Sequence, residues 1–269
     1  MWDVGEKGGV ITSNKWYNIF NITMKGSFME KINLDNGFFF GMGLFETIKV
    51  VNRKPILLKE HINRINNSLK CFNIDQVIVE EDITDFIEGH SEESYALKLS
   101  VSEKNKIITT RKDPYNNKTF GEVRLNFANT LRNSTSKMVY HKTFNYMENI
   151  LEKRRAKEEG FFEPIFLNEN GYIAEGAVSN IFFIRDEKMF TPKVSSGILN
   201  GVMREFFIKH FDVEEVLIKK EDLEKFDSGF ITNSLMGYME FDSLGEFNFR
   251  RSKITNEFDR ELRKIGFIL

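Results

Sequence analysis

The 269-residue chain carries 38 Lys and Arg against 40 Asp and Glu, a formal net charge of −2, so it offers no basic field for nucleic acid or an anionic membrane surface. With 41% hydrophobic and 29% charged residues it reads as a soluble globular protein with room for two modest domains, and a small molecule is the expected partner. A single cysteine, Cys71, excludes an intrachain disulfide and is expected to pack as a small apolar side chain. No apolar run approaches the roughly 18 residues of a membrane helix, and the opening MWDVGEKGGVITSNKW lacks a signal-peptide core, so a cytoplasmic location is expected.

In chain order, residues 1–20 are left as an edge hairpin or an extension. NGFFFGMGLFETIKVVNRKPI spaces Gly37, Gly41 and Gly43 among aromatics; within it LFETIKVV (44–51) reads as a strand and Asn52-Arg53 as a turn. LLKEHINRINNSLKCF (57–72) places Leu58, Ile62, Ile65 and Leu69 three or four apart, which predicts a helix with one buried face. A weaker helix is expected over 80–89. SYALKLSVSE (94–103) alternates as a strand, with KIITTR (106–111) as its hairpin partner. KDPYNNKTFGE (112–122), with Pro114 and two asparagines, is a break. It sets the expected division: a small N-terminal domain over 1–113, a linker over 114–121 and a larger C-terminal domain over 122–269. Beyond it EVRLNFA (122–128) reads as a strand and MENILEKRRAKEEG as a helix stopped by Gly160. EPIFLNENGYIAEG reads as a hairpin turning on Asn170-Gly171, and NIFFIRDEKMFTP as a second turning at Asp186-Glu187. SSGILNGVMREFFIKHF is a loop followed by a helix from Val202.

Lys142 lies just ahead of a predicted helix, between His141 and a turn containing Asn145 and Tyr146. Most lysines are solvated surface charges, and company of this kind is what a covalently bonding lysine needs. Two further features bear on it. The glycine loop before Val202 and Met203 leaves backbone N–H groups free at a helix start, where phosphate binds well. Glu175 ends a strand before a glycine. A lysine, a phosphate anchor and a carboxylate for a ring nitrogen are the needs of pyridoxal phosphate. No spacing rule brings the three together, and each has a plain alternative: a surface lysine, an ordinary loop–helix join, an exposed turn carboxylate.

These segments, in this order, resemble the fold-type IV pyridoxal-phosphate enzymes, the group of branched-chain aminotransferases, D-amino acid aminotransferases and 4-amino-4-deoxychorismate lyases. The resemblance runs from Asp35 to Leu244. GMGLFETIKV is similar to the group's first glycine-aromatic motif, HINRINNSL to its His-x-x-Arg helix and KTFNYMENI to its lysine segment. NENGYIAEGAVSNIFFI is the most specific match; GILNGVMRE resembles the phosphate-loop helix and ITNSLMGYM (231–239) a late loop near the phosphate. The resemblance implies an α+β, two-domain, D-amino acid aminotransferase-like fold, with a smaller N-terminal α/β domain and a larger C-terminal β-rich one. It implies pyridoxal 5'-phosphate as cofactor, a homodimer and no metal. It implies Lys142 as the catalytic residue, bonded to the cofactor, Arg64 on its phosphate and Glu175 facing its pyridine nitrogen. Tyr146, Val202, Met203, Asn233 and Ser234 are implied as further cofactor contacts. The chain departs from the group at Asn36 and Met42, where many members carry Arg and Asp, and at Glu240, where an apolar residue or proline is common; these bear on the substrate more than on the cofactor.

Within the group, RNSTSKMVYHKTFNYMENI and TNSLMG are most similar to bacterial aminodeoxychorismate lyases. That implies conversion of 4-amino-4-deoxychorismate to 4-aminobenzoate and pyruvate, a step toward folate, with Lys142 removing a proton. The alternative is an aminotransferase of D-amino acids or branched-chain amino acids, which shares the chemistry up to that point. An intact Lys–Glu–Arg set argues against a non-catalytic cofactor binder. Thr47 and Lys98 are candidate substrate contacts, each against the reading of an ordinary strand residue. His61 is expected to pack or cap. Arg111, at a strand end, is the only arginine in 94–111, so no arginine pair for substrate carboxylates is evident there.

Overall fold

The computed structural model describes residues 32–116 and 120–268; the reading made for residues 1–20 lies outside them. The elements run α1 (Asn36–Phe40), β1 (Gly43–Val51), β2 (Lys54–Pro55), α2 (Leu58–Cys71), α3 (Glu81–Gly89), β3 (Tyr95–Ser102), β4 (Lys106–Arg111), β5 (Arg124–Phe127), α4 (Met147–Glu158), β6 (Glu163–Leu167), β7 (Ile173–Gly176), β8 (Asn180–Arg185) and β9 (Lys188–Pro192). They continue with α5 (Val202–His210), β10 (Val213–Val216), β11 (Ser228–Asn233), β12 (Gly237–Glu240), β13 (Ser243–Leu244), β14 (Phe247–Asn248) and α6 (Thr255–Lys264). This is a mixed α+β architecture, as the sequence reading expects.

The first sheet has the order β2-β1-β3-β4 and is antiparallel throughout. Strand alternation divides it into two faces. Leu44, Ile48, Val50, Leu97, Leu99 and Val101 point to one, where Leu58, Ile62, Ile65 and Leu69 of α2 close over them. Each such fully buried side chain contributes about 1.5–3 kcal/mol. Phe45, Thr47 and Lys49 stand on the other face, and the register places Lys98 and Arg111 beside them. Cys71 corrects the expectation of a packed thiol: it is exposed. The buried stripe of α2 ends at Ser68 and Leu69, and two residues on the helix has turned its side to solvent.

Two five-stranded sheets follow, ordered β14-β13-β5-β6-β7 and β10-β9-β8-β11-β12. They share one core, in which Leu125, Ile165 and Ile173 of the first meet Ile181, Phe183 and Ile231 of the second. The far side of β8 and β11 is covered by α5 and α6 through a set of rings: Phe182 stacks on Phe230 at 4.8 Å, and Phe258 packs on Phe207, Phe211, Phe230 and Tyr238.

Local chemistry explains the joins. Asn52 and Arg53, and again Asp186 and Glu187, take positive φ, the geometry of the two-residue hairpin turn that matches strand twist. Asp35 caps α1 by accepting the Phe38 N–H, and its other oxygen accepts from Ser102 Oγ, the Lys104 N–H and Asn105 Nδ2. One buried carboxylate thus fastens α1 to the β3–β4 turn. Gly41 ends α1 at φ 70° against the Asn145 carboxamide, where a Cβ would have no room.

The ring cluster predicts that Phe258→Ala, which empties a fully buried site, lowers unfolding stability by about 3–5 kcal/mol. Urea denaturation checks it; a loss below about 1 kcal/mol would mean α6 is not part of the cooperative core.

Candidate active site

The lysine segment lies along the start of β1. Phe45 N–H donates to the Lys142 carbonyl at 2.9 Å, Phe144 N–H donates to the Gly43 carbonyl at 2.8 Å, and Leu44 faces Thr143 across the bridge. Alternation then turns Lys142 to the face of Phe45. Its Nζ stands 4.5 Å from the Phe45 ring centre and 5.2 Å from that of Tyr146. Burial, then the positive field of Arg64, hold the amine down at about 8, against the opposing pull of Glu46 and Glu175. His141 anchors the same segment to α2 through Ser68, at 2.8 Å.

Arg64 comes from α2. Its Nε and Nη2 fork onto Glu46 at 2.7 and 2.5 Å, and Nη1 reaches the Asn200 carbonyl at 3.4 Å. Glu46 also accepts from His61 Nδ1 at 2.7 Å. Burial alone would raise the Glu46 carboxyl; Arg64 and His61 overcome it and hold it at about 2. For His61 burial prevails and its pKa is lowered. A neutral ring donating through Nδ1 to a carboxylate leaves Nε2 an acceptor, and that atom is buried without a partner.

Glu175, at the end of β7, accepts from the Leu199 N–H at 3.0 Å and lies 3.4 Å from Arg132 Nη2. Burial lifts it to about 7, with Arg132 opposing. Arg132 packs flat over Phe166 at 3.8 Å and donates to Asn149 Oδ1. The turn beyond Glu175 is held from α4: Tyr146 Oη and Asn149 Nδ2 both donate to the Ala177 carbonyl, at 2.9 and 2.7 Å. Burial, then Glu175, push the Tyr146 hydroxyl far up, so it stays protonated. Glu163, fully buried, accepts from Val178 N–H and Ser179 Oγ and pairs with Lys153.

Lys142 lies beside Tyr146, and the charges of Arg64 and Glu175 act on both. The side chains of Val202 and Met203 are core; what they present is the first turn of α5, which no side chain caps. Asn233 turns its Oδ1 to the N–H groups of Leu235 and Met236, at 3.0 and 2.9 Å, so it builds the turn that carries the partly buried Ser234. Thr47 faces Lys98 across β1 and β3. Lys98 Nζ sits 4.5 Å from the Phe45 ring centre, and burial and Arg111 lower its pKa. Glu240, unusual by the group's pattern, accepts the Ser252 N–H. Sequence reading passed over Glu46, Arg132, Asn149 and Asn180, whose Nδ2 donates to the Leu199 carbonyl at 2.8 Å beside Glu175. Glu46 had a signal, a charge in the apolar phase of Leu44, Ile48 and Val50; the others had none. Among the described residues no group of three or more His, Cys, Asp or Glu is placed to hold a metal ion, and no helix is long and apolar enough to cross a membrane.

The Lys142 environment fixes a pH dependence. Only the neutral amine attacks an aldehyde, so labelling of Lys142 by pyridoxal with borohydride should rise with pH and level off above about 8. An ordinary lysine keeps gaining to about 10.4. Peptide mass spectrometry across pH distinguishes the two; a Lys142 profile still climbing at about pH 10 contradicts the assigned environment.

The sequence profile described as "Amino-transferase class IV" matches residues 43–244. The chain is 26% identical over 265 residues to the aminodeoxychorismate lyase of Bacillus subtilis (strain 168), covering 85% of this chain and 88% of that one. A Legionella pneumophila structure named as a candidate 4-amino-4-deoxychorismate lyase superimposes with TM-score 0.79 at 27% identity, covering 90% and 97% of the two chains. The branched-chain aminotransferase of Thermoproteus uzoniensis shares the fold at TM-score 0.77 and 20% identity, covering 89% and 91%. The chain therefore belongs to the class IV amino-transferase family, whose members depend on pyridoxal phosphate.

Proposed function

We propose that the protein is a pyridoxal-phosphate-dependent lyase that converts 4-amino-4-deoxychorismate to 4-aminobenzoate and pyruvate. The observation that carries the cofactor half is the grouping of the Lys142 amine, beside Tyr146, with the forked Arg64 guanidinium, the uncapped start of α5 and the buried Glu175 carboxyl. These residues fit the group. Lys142 would bond to it. Arg64 and the N–H groups of Val202 and Met203 would take its phosphate, with the turn at Asn233 and Ser234 closing that side. Glu175 would face the ring nitrogen; a cation placed there draws the carboxyl down from about 7 and ionises it.

When bound, pyridoxal phosphate makes the proton on the substrate carbon beside the nitrogen removable. Lys142, neutral in useful fraction because of its lowered pKa, takes that proton. The electrons of the broken C–H bond complete the aromatic ring, the ring C–O bond breaks, and the enolpyruvyl fragment leaves. Delivery of a proton to the methylene carbon of the released enolpyruvate gives pyruvate. Atoms balance without an amino acceptor. Arg132 keeps Glu175 in place, and Tyr146 holds the turn behind it.

The lyase half draws support from the Bacillus subtilis relative and from the substrate side. Lys98 and Arg111 share the Lys142 face of the first sheet, which gives two cations for the two carboxylates of the substrate, with Thr47 beside Lys98. The aminotransferase reading stays as the rival because branched-chain aminotransferases share the fold. Assignment to the cytoplasm, assembly as a homodimer and a domain division at 114–121 belong to the same proposal; in that division the first sheet carries the substrate face and the later sheets carry Glu175 and α5.

Lys142→Ala should lower turnover by about 10²–10⁴-fold or more, since it removes the base, and should abolish borohydride fixation at that peptide. Glu175→Gln should keep the cofactor and slow turnover; an unchanged rate would assign the ring nitrogen to another acid. Both activities should be assayed on one preparation. Equal amounts of 4-aminobenzoate and pyruvate without a keto acid support the lyase, whereas amino transfer to 2-oxoglutarate with no 4-aminobenzoate decides for the rival.

A further inference from the structure

Arg204 stands in the first turns of α5 and is 1% exposed. Its Nη1 donates to Asn200 Oδ1 at 2.8 Å, and its Nη2 donates to the Pro192 carbonyl at 2.9 Å and pairs with Glu215. The other end of the Asn200 side chain donates to Glu205 at 2.7 Å. Both ends of that carboxamide are therefore held by α5 itself. Asn200 also presents its main-chain carbonyl, which Arg64 Nη1 reaches at 3.4 Å. On either side the chain is equally constrained. Leu199 gives its carbonyl to Asn180 Nδ2 at 2.8 Å and its N–H to Glu175. A Cβ on Gly201 would stand 2.2 Å from Asn180 Oδ1. Residues 199–201 are thus pinned between Glu175, Arg64 and the buried guanidinium.

We propose that Arg204 is a positioning residue for the phosphate of the cofactor. It touches no ligand; it holds Asn200 by the side chain, which fixes the 200–201 peptide and aims the uncapped N–H groups of Val202 and Met203 at the phosphate. The inference rests on the pyridoxal-phosphate reading of the site. A helix start that required packing alone would be served by an apolar residue, since burying a charge is costly unless it is paired and hydrogen-bonded. Here both Nη groups are partnered, by the backbone of β9, Glu215 and the one side chain that sets the loop, while Nε is buried without a partner.

Equilibrium binding of pyridoxal phosphate and of pyridoxal, which has the same ring and aldehyde but no phosphate, separates this role from general support of the fold. Arg204→Met should weaken pyridoxal phosphate about 10-fold or more while pyridoxal stays within about twofold. Arg204→Lys, a cation without the fork, should fall between. Asn200→Ala removes the held side chain and leaves Arg204 in place; it should show the same selective loss and serves if Arg204→Met does not fold. Equal weakening of both ligands, or of neither, overturns the proposal. Failure of the unmodified protein to bind pyridoxal phosphate overturns instead the reading beneath it, which the same titration reveals first.

Discussion

The site depends on one short backbone seam, the pair of hydrogen bonds that lays residues 142–144 against Gly43–Phe45. Each bond contributes only about 0.5–1.5 kcal/mol. The seam matters because β1 lies inside its sheet and carries Glu46, whose carboxylate receives the Arg64 fork. Breaking a buried pair of that kind costs about 3–5 kcal/mol. The amine and the guanidinium are therefore referenced to the same strand, the first through the main chain and the second through a side chain. The Ser68–His141 contact closes the loop from α2 back to the lysine segment.

Elements specified by their own residues were legible in the sequence. The spacing of Leu58, Ile62, Ile65 and Leu69 gave α2 to within a residue at each end, and the turns at Asn52-Arg53, Asn170-Gly171 and Asp186-Glu187 fell where the hairpins bend. Elements specified by distant partners were not. The five-residue α1 has no periodicity to read, and it is held by Asp35 reaching to Ser102 and Asn105. The parallel pairings of β5 with β6, β9 with β10 and β13 with β5 are tertiary facts with no local mark. Helix α6 was legible and passed over: Phe258 and Leu262 lie four apart in a polar stretch.

At the site the same rule operates. Lys142, Arg64 and Glu175 were found through ordered motifs, a likeness of sequence and not a deduction of distance. Their burial and mutual fields, which decide what each can do, come from segments separated by tens of residues. Arg132 shows why. It follows β5, where its backbone forms an isolated bridge to Asn168, and nothing in TLRNS announces that its guanidinium will lie on Phe166 and face Glu175. Asn233 shows the reverse, a residue whose oxygen is engaged by its own turn, leaving the neighbouring Ser234 and the main chain as what that turn presents.

The alternation of β1 has a consequence for how such a protein can change. Even-numbered positions carry the Glu46 clamp and the core beneath α2; odd-numbered positions carry Phe45, Thr47 and Lys49 on the face of Lys98 and Arg111. A period of two thus separates two environments along most of the nine residues of β1. The odd positions are not equally free: Gly43 leaves no room for a Cβ against the Phe144 ring, Lys49 pairs with Asp113 and Val51 is core, which leaves Thr47, beside Lys98, as the position with the fewest such ties. A shared fold is therefore a poor guide to which reaction a given member performs.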